Sequence, residues 1–344
     1  MNGRSHESPR RGRPRFLSVA AIALLASWAA GCGDDSAAPT DPGGGANGEI
    51  PLTPYEGTAA TITATDVGAL VADLADDSTA GRGSPSPELD EVAAYIAARF
   101  AAYGLTPAGE AGYLQWFEVE DVAGVGSAPV PNVIGMVAGT DPDLRDEYIV
   151  LTAHFDHLGL APEGSGFDRI YNGADDNASG TAALLEIAEA LGAMPVAPKR
   201  SVVLLAVSAE EIGLRGSLHW MDQPTVPREG ILVNLNFDMV GRNEPDEVDL
   251  IRPVSSERAA IALAVAAAHP ELGMRLKDSP NDQFLQRSDS GAFTLYGIES
   301  LFFHSGLHAD YHTVEDETRW IDTEKVAKVA KLGYWTAVEL AGRP

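Results

Sequence analysis

Cysteine is almost absent: Cys32 is the single one in 344 residues. That excludes an intramolecular disulfide framework and any thiolate-rich zinc finger or iron–sulfur site, each of which needs several sulfurs. A metal in this chain has to be held by His, Asp and Glu. Basic residues are scarce as well, with 24 Lys and Arg against 50 Asp and Glu and a formal net charge of −26. Nucleic-acid affinity depends on Lys and Arg neutralising phosphates, so nucleic acid is excluded as a partner. Apolar material is not lacking. At 45% hydrophobic residues the chain can build a large core, as one large domain or two ordinary ones.

The five arginines of residues 1–15 (Arg4, Arg10, Arg11, Arg13 and Arg15) stand against one acid, Glu7. The uncharged stretch FLSVAAIALLASWAAG (16–31) follows, and then Cys32. A basic start, a short apolar run and small residues at its end form the pattern of an export signal. The run falls short of the roughly 20 residues that a permanent spanning helix needs. Ala29-Ala30-Gly31-Cys32 resembles a bacterial lipobox, with Ala29 where Leu is usual. The resemblance implies a signal peptide over 1–31 and a lipidated Cys32, so that a lipid is the only link to the membrane. The protein is then an envelope lipoprotein; with ordinary cleavage it is periplasmic or secreted. Residues 32–54, rich in Gly, Pro, Ala and Asp, read as that cysteine and a flexible tether. The folded domain is expected over 55–342.

Within that domain helical and strand-like runs alternate. Helices are expected around Ala69–Leu74, over Leu89–Tyr103 with Gly104 as a stop, over Ser179–Gly192, and over Thr323–Leu340. Strands are expected at NVIGMVA (132–138), YIVLTAHFD (148–156), SVVLLAVS (201–208) and ILVNLNFDMV (231–240). Near-continuous apolar strands alternating with helices predict a three-layer α/β domain, with a mostly parallel central sheet covered by helices on both faces.

Active sites in such sheets gather at the carboxyl ends of the strands. His154 and Asp156 close one strand, Glu210 and Glu211 another, and Asp238 a third, while Asp175 and Asp176 sit in GADDNASG ahead of a helix. Each has a plain structural explanation when taken singly. An Asp before a helix is often an N-cap, and an adjacent Glu pair is often a solvated face. The remaining histidines (His6, His157, His219, His269, His304 and His308) are mostly read as surface or internally satisfied residues. Together, however, several acids at one sheet edge repel unless a cation holds them.

HFDHLG (154–159), GADDNASG (173–180), AEEIGLRGS (209–217), NFDMVGR (236–242) and DYHTVEDE (310–317) resemble, in order, the motifs of the clan MH zinc aminopeptidases. Among that clan the likeness is to the bacterial leucyl and Streptomyces-type enzymes. It implies a site with two Zn2+ at the strand ends, for which Co2+ or Mn2+ can substitute. His154 and Asp238 then bind one ion, Glu211 and His312 the other, and Asp176 bridges. Asp156 orients the His154 ring, Glu210 is the general base, and Tyr311 steadies the oxyanion. The implied activity is removal of N-terminal amino acids from peptides. A glutaminyl cyclase-like acyltransferase, or another amide hydrolase such as a carboxypeptidase or N-acyl amidase, is the alternative on the same fold. Relatives often carry His or another large polar residue where RSDSGAF (287–293) has Ser290, and Glu317 stands where Thr is usual. Substrate preference and oligomeric state are not legible.

The lipid anchor carries its own test. Replacing Cys32 with Ser should block acylation and move the protein out of the membrane fraction, or leave an uncleaved precursor. A wild-type chain that is wholly soluble, with its mature N-terminus elsewhere, would instead establish ordinary secretion.

Overall fold

The computed structural model describes Leu52 and residues 59–122 and 126–343. The signal peptide 1–31 and, apart from Leu52, the tether 32–54 lie outside the described residues. Helix α1 (Ala64–Leu74) is capped by Thr63, whose side chain accepts the Asp66 N–H. Helix α2 (Pro87–Ala102) is capped by Ser86 and has Pro in its first turn, where no N–H is missed. It ends ahead of Gly104, whose φ of 78° is the left-handed conformation in which glycine commonly stops a helix.

The strands β1 (Thr106–Pro107), β2 (Leu114–Val122), β3 (Gly126–Val137) and β4 (Tyr148–His154) follow, then a small hairpin of β5 (Gly159–Leu160) and β6 (Ile170–Tyr171). The rest of the chain runs α3 (Gly180–Gly192), β7 (Ser201–Val207), α4 (Arg215–Asp222), β8 (Ile231–Phe237), β9 (Glu247–Arg252) and α5 (Glu257–Ala268). It closes with β10 (Arg275–Pro280), α6 (Ser290–Leu295), β11 (Glu299–His304) and α7 (Thr323–Gly342). Among the described residues the main sheet has nine strands in the order β1-β3-β7-β4-β8-β11-β9-β10, with β2 also on β3. Its centre, β7-β4-β8-β11, is parallel, while β3 against β7 and β9 against β11 are antiparallel. The mostly parallel α/β sheet is therefore present.

Helices α1, α2, α3, α5 and α7 pack in the core on one face, together with Ile149, Leu151, Val233, Leu235 and Phe237. Helices α4 and α6 cover the other face against Val150, Val203 and Leu205. Period-2 alternation assigns these side chains. It also sends Asn234 and Asn236 of β8, with Thr152 of β4 and Ser300 of β11, to the α4/α6 side, all fully buried. The near-continuous apolar strand expected at 231–240 is thus apolar on one face and polar on the other. It also ends earlier, at Phe237, so that Asp238 lies just past the strand.

One buried acid gives the fold a pH dependence. Glu186 on α3 is 1% exposed, and its carboxylate accepts the Thr63 N–H at 3.1 Å. Burial, helped by the charges of Asp66 and Glu189, pushes its pKa from 4.5 up to about 7. The protonated form is therefore favoured by folding. Its contribution is full below pH 4.5 and is lost as pH rises through about 7, a change on the order of 3 kcal/mol. Glu186→Gln keeps an acceptor for Thr63 and should raise Tm at pH 8 while changing it little at pH 4.5. Equal shifts at both values would contradict the assignment.

Candidate metal centre

The carboxyl edge of the sheet brings the sequence-predicted residues together. His154 is the last residue of β4, Glu210 and Glu211 lie just past β7, and Asp238 follows β8. Asp176 comes from the turn Ala174–Ser179 before α3, and His312 from the loop after β11. His154 Nε2 lies 3.3 Å from Asp176 Oδ1 and 3.4 Å from Asp238 Oδ1. His312 Nε2 lies 3.0 Å from Asp176 Oδ2 and 3.3 Å from Glu211 Oε2. Asp176 therefore gives one oxygen to each group. Donor atoms of His154, Glu210 and Asp238 lie within 4.8 Å of one another, and those of His157, Asp176 and Glu211 form a second such set.

The loop that carries Asp176 is held almost wholly by hydrogen bonds from elsewhere in the chain. Gly173 has φ 55°, and a Cβ there would sit 2.2 Å from Asp176 O and 2.5 Å from the His157 ring, so glycine is required. Asn177 Oδ1 accepts the Gly180 and Met239 N–H groups, while its Nδ2 donates to Phe237 O. Asn177 thus serves the helix start, and neither aspartate is spent as a cap. Asp316 accepts the main-chain N–H groups of both Asp175 and Asp176. Asp175 points away from the cluster and accepts the Gly241 N–H at 2.7 Å. Beneath the loop, the fully buried Arg82 donates to the carbonyls of Leu74, Phe155, Asn172 and Gly173. Burial lowers its pKa to about 10, which leaves it charged at neutral pH.

Protonation follows the crowding. Burial opposes charge on His154, but the charges of Asp238 and Glu210 hold its pKa well above the usual histidine value. His312 is raised to about 10 against burial, by contacts with Asp176 and Glu211. Asp176, although buried, is held well below the usual carboxylate range by hydrogen bonds from the two imidazoles. Glu210 moves the other way: burial raises it well above the usual value, with Asp289, Asp238 and Glu211 adding repulsion. Asp289, also buried, is pushed up to about 7.

Asp156 reaches His154 chiefly through its main chain, and two further histidines lie within the site. The Asp156 carboxylate is 3.7 Å from His154 Nδ1, whereas its main-chain carbonyl is at 3.2 Å. The ring is thus held from the Asp156 backbone, and the carboxylate instead accepts the Glu210 N–H and the Ser84 hydroxyl. His157 is no surface residue: it is 2% exposed, with Nδ1 2.7 Å from Glu211 Oε1. His304 is buried as well, its Nδ1 2.9 Å from the Asp238 carbonyl. The sequence alone does not mark Arg82, Ser84, Asn177 and Asp316 as part of the site. Their signal is local, a GRGS run and two residues inside recognised motifs. Tyr311 lines the cleft, its ring stacked on His312 at 3.8 Å. The cleft of about 300 Å³ is walled further by Met239, Phe284, Gln286, Arg287 and Leu307.

Two imidazoles and four carboxylates converging without a sulfur form a nitrogen–oxygen donor set suited to zinc and similar divalent ions. Residues 132–335, which contain every residue of this cluster, match the model of peptidase family M28. The chain is 28% identical over 212 residues to aminopeptidase YwaD of Bacillus subtilis, covering 58% of this chain and 42% of that one. It is 32% identical over 160 residues to a probable lipoprotein aminopeptidase, LpqL, of Mycobacterium tuberculosis, covering 44% and 30%. The chain spans under half the length of these curated relatives. Its fold is similar to the solved structure of BSAP, a zinc aminopeptidase from Bacillus subtilis, with a TM-score of 0.65 at 16% identity over 82% of this chain and 96% of that one. With the family match extending over more than half of the sequence and enclosing the whole strand-edge cluster, the chain belongs to peptidase family M28.

Proposed function

We propose that the chain is an exopeptidase with a two-metal centre that releases N-terminal amino acids from peptides. The observation that carries this reading is the division of Asp176, one oxygen towards His154 and the other towards His312. His154 and Asp238 would hold one ion and His312 and Glu211 the other, with Asp176 available to both. Zinc bound there would polarise the scissile carbonyl and acidify water. Cobalt or manganese suits the same donors.

The chain's own residues supply the rest. Glu210 is fixed through its N–H to Asp156 Oδ1, and burial makes its carboxylate a stronger base than in water. It accepts the proton of the attacking water and passes it to the leaving amine. Burial keeps the Tyr311 phenol well above its usual pKa, so it stays protonated and can donate to the oxyanion. Asp156 serves as a positioning residue, with its carbonyl on His154 and its carboxylate on the Glu210 backbone. Both donor groups are complete, which favours two-metal hydrolysis over a glutaminyl cyclase working through one ion.

The same reading places the domain, residues 55–342, outside the cytoplasm on a lipid carried by Cys32, with the 33–54 tether between. A relative named as a probable lipoprotein aminopeptidase supports it. Among the described residues no helix is long and apolar enough to cross a membrane.

The adjacent glutamates test the assignment. Glu210→Gln should retain two ions per chain yet lose turnover of aminoacyl anilides by on the order of 10²–10⁴-fold. Glu211→Ala should lose metal from one site. Near-normal rates for Glu210→Gln, or full activity in a metal-free preparation, would contradict it.

A further inference from the structure

Asp238 stands at the end of a buried chain of hydrogen bonds that crosses three strands. Its Oδ2 accepts the Ser288 hydroxyl at 2.7 Å, and Ser288 Oγ accepts Asn236 Nδ2 at 2.8 Å. Asn236 Oδ1 accepts the Thr152 hydroxyl at 2.7 Å, and Thr152 Oγ1 accepts Asn234 Nδ2 at 2.8 Å. Asn234 Oδ1 accepts the Ser300 hydroxyl at 2.6 Å, and Ser290 Oγ lies 2.9 Å from Ser300 Oγ. All six of these neutral residues are 2% exposed or less.

Register explains the path. Thr152 pairs with Asn236 across β4 and β8, and Ser300 pairs with Asn234 across β11 and β8. Asn234, Asn236 and Asp238 are two residues apart, so they share the α4/α6 face. Ser288 and Ser290 reach that face from the start of α6. The position where relatives often carry a large polar residue thus holds a small hydroxyl that lies against the far end of the chain.

The direction of the bonds is set by the groups themselves. A hydroxyl has one hydrogen, and Thr152 and Ser288 each spend it towards Asp238 while receiving an amide N–H from the other side. From Ser300 onward every donor therefore points at Asp238, and bonds aligned in this way polarise one another. Their sum falls on Oδ2 and leaves Oδ1 facing His154 Nε2 at 3.4 Å. From the other side, the His304 ring holds the Asp238 carbonyl.

We infer that Ser288, Asn236, Thr152, Asn234 and Ser300 are positioning residues for the ion on the His154–Asp238 side. By occupying Oδ2 they present Asp238 to that ion through Oδ1 alone and set the ion's affinity apart from that of its neighbour. This rests on the two-metal reading above. A purely structural role for the network would weaken the fold and both ions together. Among the described residues the Glu211–His312 side has no such network; there His157 Nδ1 lies 2.7 Å from Glu211 Oε1.

Zinc titrated into the chelator-stripped full chain, followed by calorimetry, tests the inference without reference to turnover. The wild type should bind two ions. Ser288→Ala should weaken one of them by about 10–100-fold, the usual cost of losing a partner of a metal ligand, and leave the other unchanged. Ser300→Ala, four hydrogen bonds further back, should weaken the same ion by a smaller factor. Ser288→Thr keeps the hydroxyl and should restore binding. Equal weakening of both ions, or none in either alanine variant, would overturn the inference. A wild type that binds fewer than two ions would overturn the two-metal reading and this inference with it.

Discussion

Negative charge at the carboxyl edge of the sheet is the constraint on which the site depends. Asp176 and Glu211 have donor oxygens within 4.8 Å, and so do Glu210 and Asp238. Two like charges at that spacing repel by roughly 3–4 kcal/mol at an effective dielectric of about 20. Among the described residues no Lys or Arg forms an ion pair with any of the four, and the ion-pair partners of Asp176, Glu211 and Asp238 are imidazoles. Two of these imidazoles favour the protonated form: the neighbouring carboxylates hold His154 well above the usual histidine value and raise His312 to about 10. On the proposed reading, two divalent ions would take the place of these protonated histidines as the cations of the centre and release their protons on binding.

The repulsion is contained by the frame around the carboxylates. Arg82 ties the end of α1, the β4 extension and the turn before Asp176 to one buried guanidinium. Asp316 and Asn177 fix the main chain on either side of Asp176. Such contacts cost little to form in a rigid sheet edge, and they leave the carboxylate oxygens free to face inwards. The same economy appears at Asp156, whose carbonyl and carboxylate position two different residues. Preorganisation of this kind lets a site bind ions and a peptide carbonyl without first reordering its own side chains.

Strands β3, β4, β7 and β8 and four of the helices were legible because burial leaves an apolar run or an amphipathic stripe. β9 and β10 were not. EVDLIR alternates, and RLKDSP is an edge strand whose side chains are exposed or half-buried, so neither leaves an apolar run. β11 is central, but only Leu301–Phe303 signals it. The strand-end acids were legible singly as candidates and jointly as a cluster, and the motif order supplied their roles. What could not be read is who holds whom across long distances. Arg82 reaches residues 73 to 91 positions away, and Asp316 reaches back about 140. His157 reads as an ordinary histidine because its contacts with Glu211 and Asp176 exist only after folding. β8 reads as an apolar strand in the sequence because Asn234 and Asn236 are intelligible only opposite Thr152 and Ser300.

The central claim is that Asp176 joins two ions. A crystal of the zinc-loaded protein, measured on both sides of the zinc absorption edge, tests it directly. The account predicts two anomalous peaks roughly 3.5–4 Å apart, the separation usual for paired catalytic metals, one beside each oxygen of Asp176. A single peak at full zinc loading, or two peaks that do not share Asp176, would contradict it.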